Sequence, residues 1–389
     1  MAQARFRFCV GRELGQTHSA WMNCCGSRGA ERLLPPSKDS DFDLLVISGF
    51  AKAAKSGVLH TNPEAIQRRF LSGTLGIVAQ FLDTQHVATR PADPVDAFDF
   101  TKVDEAQRLG MVPVSLNGDQ NAAGLIAVLA PTSPIATNHM LLVPSCEQLL
   151  PHILTEELLL SGLQILAKSG RHDLRLTFDS PTAGASVNHF HWQGFYLNQC
   201  GVLGSRLPIE KVDRSLVAGA ITEGKTCAEM LVEAQWHCRG FVLSAGCAPG
   251  TPGEAPPADL GALASLASRM LQLLQRSDTP HSVILVPAQE RRRKQTSSPA
   301  TGMAHEAEAK PNAISPEVYV LPRQGDGNLR PEPEICTRAL DLAGVITTHS
   351  EDAFRGLAED TVRDIIQNDV SMPEVPFGNL ICKAAWLPA

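Results

Sequence analysis

Hydrophobic residues recur along this chain with two spacings, and the switch between them lays out the expected elements. Phe42 to Phe50 and Ala65 to Phe70 carry a short helical pattern, and Thr74 to Phe81 has the look of a strand. Pro91 and Pro94 predict a loop over 83–97. Gly124 to Ala130 and His139 to Pro144 are apolar runs of the length of buried strands. Leu154 to Lys168 predicts a helix: Glu156 and Glu157 suit its positive N-terminal end, and Gly170 stands where a C-terminal cap is expected. Leu174 to Phe178 and Asn188 to Leu197 then predict neighbouring strands.

Cys247 to Pro257 is a Pro/Gly-rich linker ending at Asp259, an expected N-cap. After it, Leu260, Leu263, Leu266, Met270, Leu273 and Leu274 form one helical stripe suited to a core. Ser282 to Val286 and Val318 to Leu321 predict strands on either side of a polar stretch, 290–316, expected to be a disordered insertion. Its Arg291-Arg292-Arg293-Lys294 run fits a solvated loop, with a nuclear signal as the alternative. A last helix is expected from Glu351 to Asn368, with Phe354, Leu357, Val362, Ile365 and Ile366 on its apolar face. Residues 1–40 read as an irregular segment; Arg5, Arg7, Arg12 and Arg28 against the single acid Glu13 leave a transit peptide as the alternative to a tail.

Composition narrows the function classes. The 389 residues are 43% hydrophobic and 19% charged, enough for a sizeable core in one large or two smaller domains. A net charge of -7 without a dense basic face argues against a nucleic-acid binder, although a small nucleotide needs only a local basic pocket. No apolar run is long enough to span a bilayer. The ten cysteines show no CxxC pair, and the adjacent Cys24 and Cys25 suit neither a disulfide framework nor a zinc knuckle, so reduced thiols in a cytoplasmic protein are expected. Neither GxGxxG nor a Walker pattern occurs, which weighs against Rossmann and kinase readings.

The chemistry concentrates in GASVNHFHWQGFYL, residues 184–197. On a strand, side chains alternate faces, so His189, His191 and Gln193 share one face and Phe190 and Trp192 the other. That is a strand with a working side and a packed side. From the residues alone three readings stand open: structural histidines, an HxH pair of metal ligands awaiting a third ligand from elsewhere, or a nucleophilic histidine with its supports.

The segment resembles the histidine-triad signature, in which His–apolar–His–apolar–His or –Gln follows a short Gly/Ser turn. Upstream, PTSPIATNHMLLVP (131–144) resembles that family's earlier strand with its own functional histidine, here His139. Within the superfamily the chain resembles the GDP-D-glucose phosphorylases and the plant GDP-L-galactose phosphorylases, relatives of galactose-1-phosphate uridylyltransferase. The shared stretches are GTLGIVAQF at Gly73, FDFTKV at Phe98, RLPIEK at Arg206, RGFVL at Arg239, PHSVILV at Pro280, VYVLPR at Val318 and DLAG at Asp341, so the likeness covers roughly 42–365.

The resemblance implies an α+β fold of two histidine-triad-like halves, each a mainly antiparallel sheet with packed helices. These are a catalytic half over 41–205 and a degenerate half over 206–389. It implies attack by His191 on the α-phosphorus of a GDP-hexose, loss of hexose 1-phosphate, and transfer of the guanylyl group to inorganic phosphate. The implied partners are thus GDP-hexose and phosphate, with no cofactor, metal, nucleic acid or membrane required; a homodimer is compatible with it. His189, His139 and Gln193 would support His191, and Ser186, Asn188 and the 184–186 turn would meet phosphate oxygens. Arg90, Arg206, Lys211 and Arg323 are the candidate cations. Gln193 stands in for the third histidine of the hydrolytic branch, which favours transfer to phosphate over water.

The chain also departs from the pattern. Ala88-Thr89-Arg90-Pro91 has lost one cation, Asn138 replaces the Gly before the upstream histidine, and Asp179 replaces an Asn expected to hold the ribose. In the second half Cys336 stands for an Asn, and Gly344-Val345 for a Gly-His pair. The nucleophile's surroundings match the pattern; the recognition positions have changed.

Overall fold

The computed structural model describes residues 38–83, 99–115, 123–185, 187–222, 226–245, 259–289, 315–324 and 335–384. The fold is α+β. Thirteen strands appear in chain order. β1 (Gln67–Phe70) and β2 (Val78–Phe81) come first, then β3 (Arg108–Ser115), β4 (Ala123–Leu129), β5 (Met140–Pro144), β6 (Leu174–Asp179) and β7 (Trp192–Tyr196). β8 (Arg214–Thr222), β9 (Thr226–Leu231), β10 (Phe241–Ala245), β11 (His281–Gln289), β12 (Ser315–Pro322) and β13 (Val345–Thr348) follow. The helices are α1 (Asp41–Ser56), α2 (Glu156–Lys168), α3 (Leu260–Gln275), α4 (Ala339–Leu342), α5 (Glu351–Gly356), α6 (Glu359–Ile365) and α7 (Glu374–Ala384).

Ten strands form one antiparallel sheet in the order β3-β4-β5-β7-β6-β11-β12-β10-β9-β8. Read inward from either edge, each set of five has the same order: first, second, third, fifth, fourth. The two fourth strands, β6 and β11, join the halves, with Asp179 opposite Ser282 and Leu176 opposite Leu285. In each half a long helix, α2 or α3, links the third strand to the fourth, and the two helices pack on each other. Where the segment leading into β7 carries histidines, the corresponding face of β12 carries Glu317 and Tyr319. Both are bonded to Arg214, whose side chain is 3% exposed, Glu317 at 2.9 Å, so that half presents ion pairs in place of imidazoles.

Each sheet face has its own core. Phe178, Phe190, Trp192, Leu163, Leu263, Met270 and Leu285 fill the space under α2 and α3, where the Trp192 indole N–H donates to the Leu158 carbonyl of α2. Phe195, Ile284, Tyr319, Leu321 and Ile346 pack on the opposite face, beneath the small sheet β1-β2-β13. The split between Phe190 and Trp192 on one side and Phe195 on the other is the period-two alternation expected of this segment.

Several expectations need correction. Ala65 to Phe70 is a 3-10 turn (Pro63–Ala65) followed by β1, because Gln67 to Phe70 pairs with β2 and pairing overrides a weak helical spacing. The strand expected over Thr74 to Phe81 begins only at Val78. Gly170 is not a left-handed cap: Ser169 caps α2, and Gly170 is required because a Cβ there would lie 2.0 Å from the Lys38 carbonyl oxygen. Asn188 to Leu197 is regular strand only over Trp192–Tyr196. The long helix expected over 351–368 is broken into α5, α6 and a π-turn (Ile366–Val370). The Arg69 guanidinium takes the Phe354, Arg355 and Leu357 carbonyls, and the Glu359 carboxylate takes the Thr74 and Leu75 amides, so both broken ends are satisfied by the small-sheet region. The 83–97 loop beyond Asp83, the 247–257 linker and 290–314 fall outside the described residues, while β12 begins at Ser315, inside the stretch expected to be disordered. Among the described residues six cysteines are present and none is in a disulfide. No helix among the described residues is long and apolar enough to cross a membrane.

One ion pair anchors the strand beside β7. Arg175 of β6 is wholly buried and bidentate to Glu210 at 2.7 and 2.8 Å, with its remaining donors on the His172, Leu174 and Ser205 carbonyls. Glu210→Ala should cost about 3–5 kcal/mol by stranding a buried guanidinium. Urea unfolding checks this, and a loss below about 1 kcal/mol would show that the pair is dispensable.

Candidate active site

The site is built on the first half's fifth strand and on a bracing segment beside it. β5 fixes β7 through Met140 opposite Gly194. Before β7 becomes regular, residues 150–152 carry the pairing on: the Phe190 amide donates to the Leu150 carbonyl at 2.8 Å, the His152 amide to Asn188 at 3.2 Å, and Pro151 bridges to His189. Leu149, at φ 49, sits in the left-handed region that a branched residue rarely adopts; this turn aims the bracing segment at the histidines.

His191 is 6% exposed and its Nδ1 lies 2.9 Å from the carbonyl of His189. The carbonyl can only accept, so Nδ1 carries the proton and Nε2 presents its lone pair; among the described residues nothing bonds that Nε2. Burial pushes the ring down to about 4, the His189 carbonyl working against the shift, so His191 is neutral at pH 7.

The flanking imidazoles have the opposite polarity. His189 Nδ1 accepts from the Phe100 amide at 3.4 Å, and His139 Nδ1 from the Ile135 amide at 3.3 Å. In the neutral rings the proton then lies on Nε2; both Nε2 atoms are buried and make no hydrogen bond of normal geometry, although the Gln193 side chain lies against His139. Burial lowers His139 to about 3, with the neighbouring Gln193 amide acting the other way, and lowers His189 as well. The row His139, Gln193, His191, His189 therefore offers N–H donors on either side of one free lone pair. Unfilled buried donors are costly unless something arrives to accept from them.

His139 stacks on Phe195 at 4.4 Å, and the turn that delivers it passes through Asn138 at φ 61. Asparagine is, after glycine, the residue that best tolerates this region, so the exchange of Gly for Asn138 keeps the backbone path. Asp179 is buried beneath the site. Its carboxylate accepts from the Ser282 hydroxyl (2.6 Å) and the Ala339 amide (2.9 Å), with Arg323 at 3.9 Å. Burial raises its pKa and Arg323 opposes the shift. Arg323 itself is committed to the Ala183 carbonyl and the Thr337 hydroxyl. Asn188 has an exposed side chain; Arg206 lies in the loop after β7, and Lys211 ends the 3-10 turn Pro208–Lys211. Ser186 and Arg90 lie outside the described residues. The structure thus gathers His139, His189, His191 and Gln193 on one face, with Asp179 and Arg323 joined beneath. In the second half Cys336 Sγ lies 3.0 Å from His349 Nε2, and Val345 is buried in β13.

Four neighbours went unnoticed in the sequence. His152 stacks on His191 at 4.9 Å and holds the Asp179 carbonyl with Nε2 at 2.9 Å. Burial, then His191, lowers it to about 3. Phe100 walls the site at 5.0 Å from His189 and 5.3 Å from His191; its place in FDFTKV was the available signal. His281 tilts against Phe178, with its Nε2 buried and unpartnered. Arg338 lies against the Gly184 turn: a Cβ built on Gly184, whose φ is 96, would stand 3.8 Å from the arginine Cγ. Among the described residues no group of three or more His, Cys, Asp and Glu is placed to hold a metal ion.

The fold defines a class first. It is shared with yeast Ap4A phosphorylase Apa2, whose complex with Ap4A superposes with a TM-score of 0.53 at 16% identity, covering 86% of this chain and 98% of that one. The sequence then narrows the likeness: residues 41–195 match the family model described as "GDPGP1-like, N-terminal domain". GDP-D-glucose phosphorylase 1 of Danio rerio is 24% identical over 341 residues, covering 84% of this chain and 86% of that protein. GDP-L-galactose phosphorylase 2 of Arabidopsis thaliana is 27% identical over 224 residues, and GDP-D-glucose phosphorylase 1 of Homo sapiens 30% over 187. Those two matches cover 52% and 44% of this chain, and they span about half the length of each relative (50% and 46%). The chain is thus similar in sequence to GDP-hexose phosphorylases and has the fold of a nucleotide phosphorylase.

Proposed function

We propose that this protein is a GDP-hexose phosphorylase, with GDP-D-glucose the first substrate to test and GDP-L-galactose the second. The observation that carries this reading is the tautomer of His191: Nδ1 is tied to a carbonyl, and a free Nε2 lone pair stands between buried N–H donors. Nε2 attacks the α-phosphorus, the bond from that phosphorus to the bridging oxygen breaks, and hexose 1-phosphate leaves with the electron pair. An oxygen of inorganic phosphate then attacks the guanylyl group, the N–P bond breaks, and GDP departs with the imidazole restored. The Nε2–H groups of His189 and His139 receive the phosphoryl oxygens as negative charge builds. Gln193 donates hydrogen bonds but cannot take a proton from water, which favours phosphate as acceptor.

Turnover of a panel of nucleoside-diphosphate hexoses, with and without phosphate and with products separated by chromatography, tests the reading. Phosphate-dependent GDP and hexose 1-phosphate are expected. Nucleotide binding with every substrate left intact would mark a binding protein on an enzyme's fold, the alternative that the altered recognition positions raise. Gln193→His should raise hydrolysis relative to phosphorolysis, read as the GMP to GDP ratio; an unchanged ratio removes this role for Gln193.

A further inference from the structure

We propose that Arg338 is the anion-holding residue of this site and binds the phosphoryl oxygens of the nucleotide. The inference rests on the reading of the site as a nucleotide phosphoryl-transfer centre, but it concerns a residue of the second half that the His-containing motif does not include.

Arg338 stands immediately before α4, and its backbone is fixed from both sides. Its own amide donates to Asp341 at 3.0 Å, and the next amide, of Ala339, donates to Asp179. Asp179 is also the residue whose carbonyl holds His152, so the segment carrying Arg338 is bonded to the floor of the histidine cluster. The side chain, by contrast, is exposed, and among the described residues nothing hydrogen-bonds or pairs with its guanidinium. It lies along the Gly184 turn that leads into the His189–Gln193 row. A fixed backbone with an unengaged planar cation beside unfilled N–H donors is the arrangement of an anion site awaiting its ligand.

The neighbouring cation cannot serve in its place without breaking what it already makes. Arg323 is buried, faces Asp179 and is bonded to Ala183 and Thr337. Its guanidinium is therefore committed within the fold, whereas that of Arg338 makes no hydrogen bond or ion pair among the described residues and meets Asp179 and Asp341 only through their field. The field of Arg338 reaches His139 and His191 and disfavours a positive charge on either ring. A phosphoryl group between them relieves that repulsion and fills the orphaned donors of His139 and His189.

The test is calorimetric titration of the full chain with inorganic pyrophosphate, GDP, ADP, UDP and guanosine, comparing the parent with Arg338→Gln and Arg338→Lys. Arg338→Gln should weaken GDP and pyrophosphate roughly 10- to 100-fold while leaving guanosine unchanged. Arg338→Lys should recover part of the loss, since it keeps the charge without the fork. A melting temperature within about 2 °C of the parent separates this from a folding defect. Equal GDP affinity in parent and Arg338→Gln overturns the proposal while leaving the phosphorylase reading intact. Loss of pyrophosphate binding in Arg338→Gln, with no preference of the parent for GDP over other nucleotides, supports the anion site and contradicts the guanine reading. A parent that binds no pyrophosphate at millimolar concentration overturns the proposal as well.

Discussion

Replacing His191 with alanine is expected to cut phosphorolysis by on the order of 10⁴-fold or more while leaving the fold in place. The size follows from the chemistry. The proposed route makes and breaks a bond at one nitrogen, and no other imidazole in the row presents a free lone pair on the working face. His189 and His139 both spend Nδ1 on a backbone amide, and their Nε2 atoms carry protons. His152 has its Nε2 on the Asp179 carbonyl, and its free Nδ1 is buried in the stack. The fold survives because the packed side of the strand is untouched: Phe190 and Trp192 remain in the core under α2. The checks are kcat, nucleotide affinity and a melting curve on one preparation. Retention of even a tenth of parental turnover would remove His191 as the nucleophile.

Acid should unfold this protein well before it protonates His191. Burial lowers His139, His152 and His237 to about 3 and His191 to about 4, against an unfolded value near 6.5. Below that value the unfolded chain binds protons that the folded chain refuses. The stability these rings contribute is complete above pH 6.5 and is lost as the pH falls toward 4. At pH 5 each ring represents about 2 kcal/mol, so the four together approach the whole stability of an ordinary domain. Asp341 acts in the other direction: burial raises it to about 6, which returns about 1 kcal/mol at pH 5. Melting temperatures should be level from pH 7 to 8 and fall steeply between 6.5 and 5. A flat profile over pH 5–8 would mean that these rings are hydrated. Activity should follow the melting curve, because His191 itself stays unprotonated to about pH 4.

How much of this was legible in the sequence depends on whether a residue's place is set locally. Period-two alternation alone put His189, His191 and Gln193 opposite Phe190 and Trp192, because a strand face is decided by neighbours in sequence. His139 was legible only through the resemblance of 131–144 to the histidine-triad family's earlier strand. His152 was not: it reaches His191 through an irregular segment turned by a left-handed Leu149 and held by a bridge to His189, which no spacing rule encodes. Arg338 was hidden more deeply, since only the pairing of β6 with β11, and the bonds from Asp179 to Ser282 and Ala339, bring the second half to the first half's histidines. The two misread helices fail alike. Gln67 to Phe70 became a strand by pairing with β2, and the helix over 351–368 broke where Arg69 and Glu359 satisfied its ends from across the fold. Asp179 takes the place of an Asn expected to hold the ribose, and it is instead enclosed with Arg323, so its charge is balanced from within.

The most direct measurement incubates the protein with GDP-D-glucose labelled at the α-phosphorus, in the absence of inorganic phosphate, and maps the label after denaturation. A guanylyl group held by an acid-labile, alkali-stable bond at His191, and discharged as GDP when phosphate is added, is the predicted result. Phosphate-dependent turnover with no label on His191 at any time would contradict the covalent route and assign the row of histidines to direct transfer.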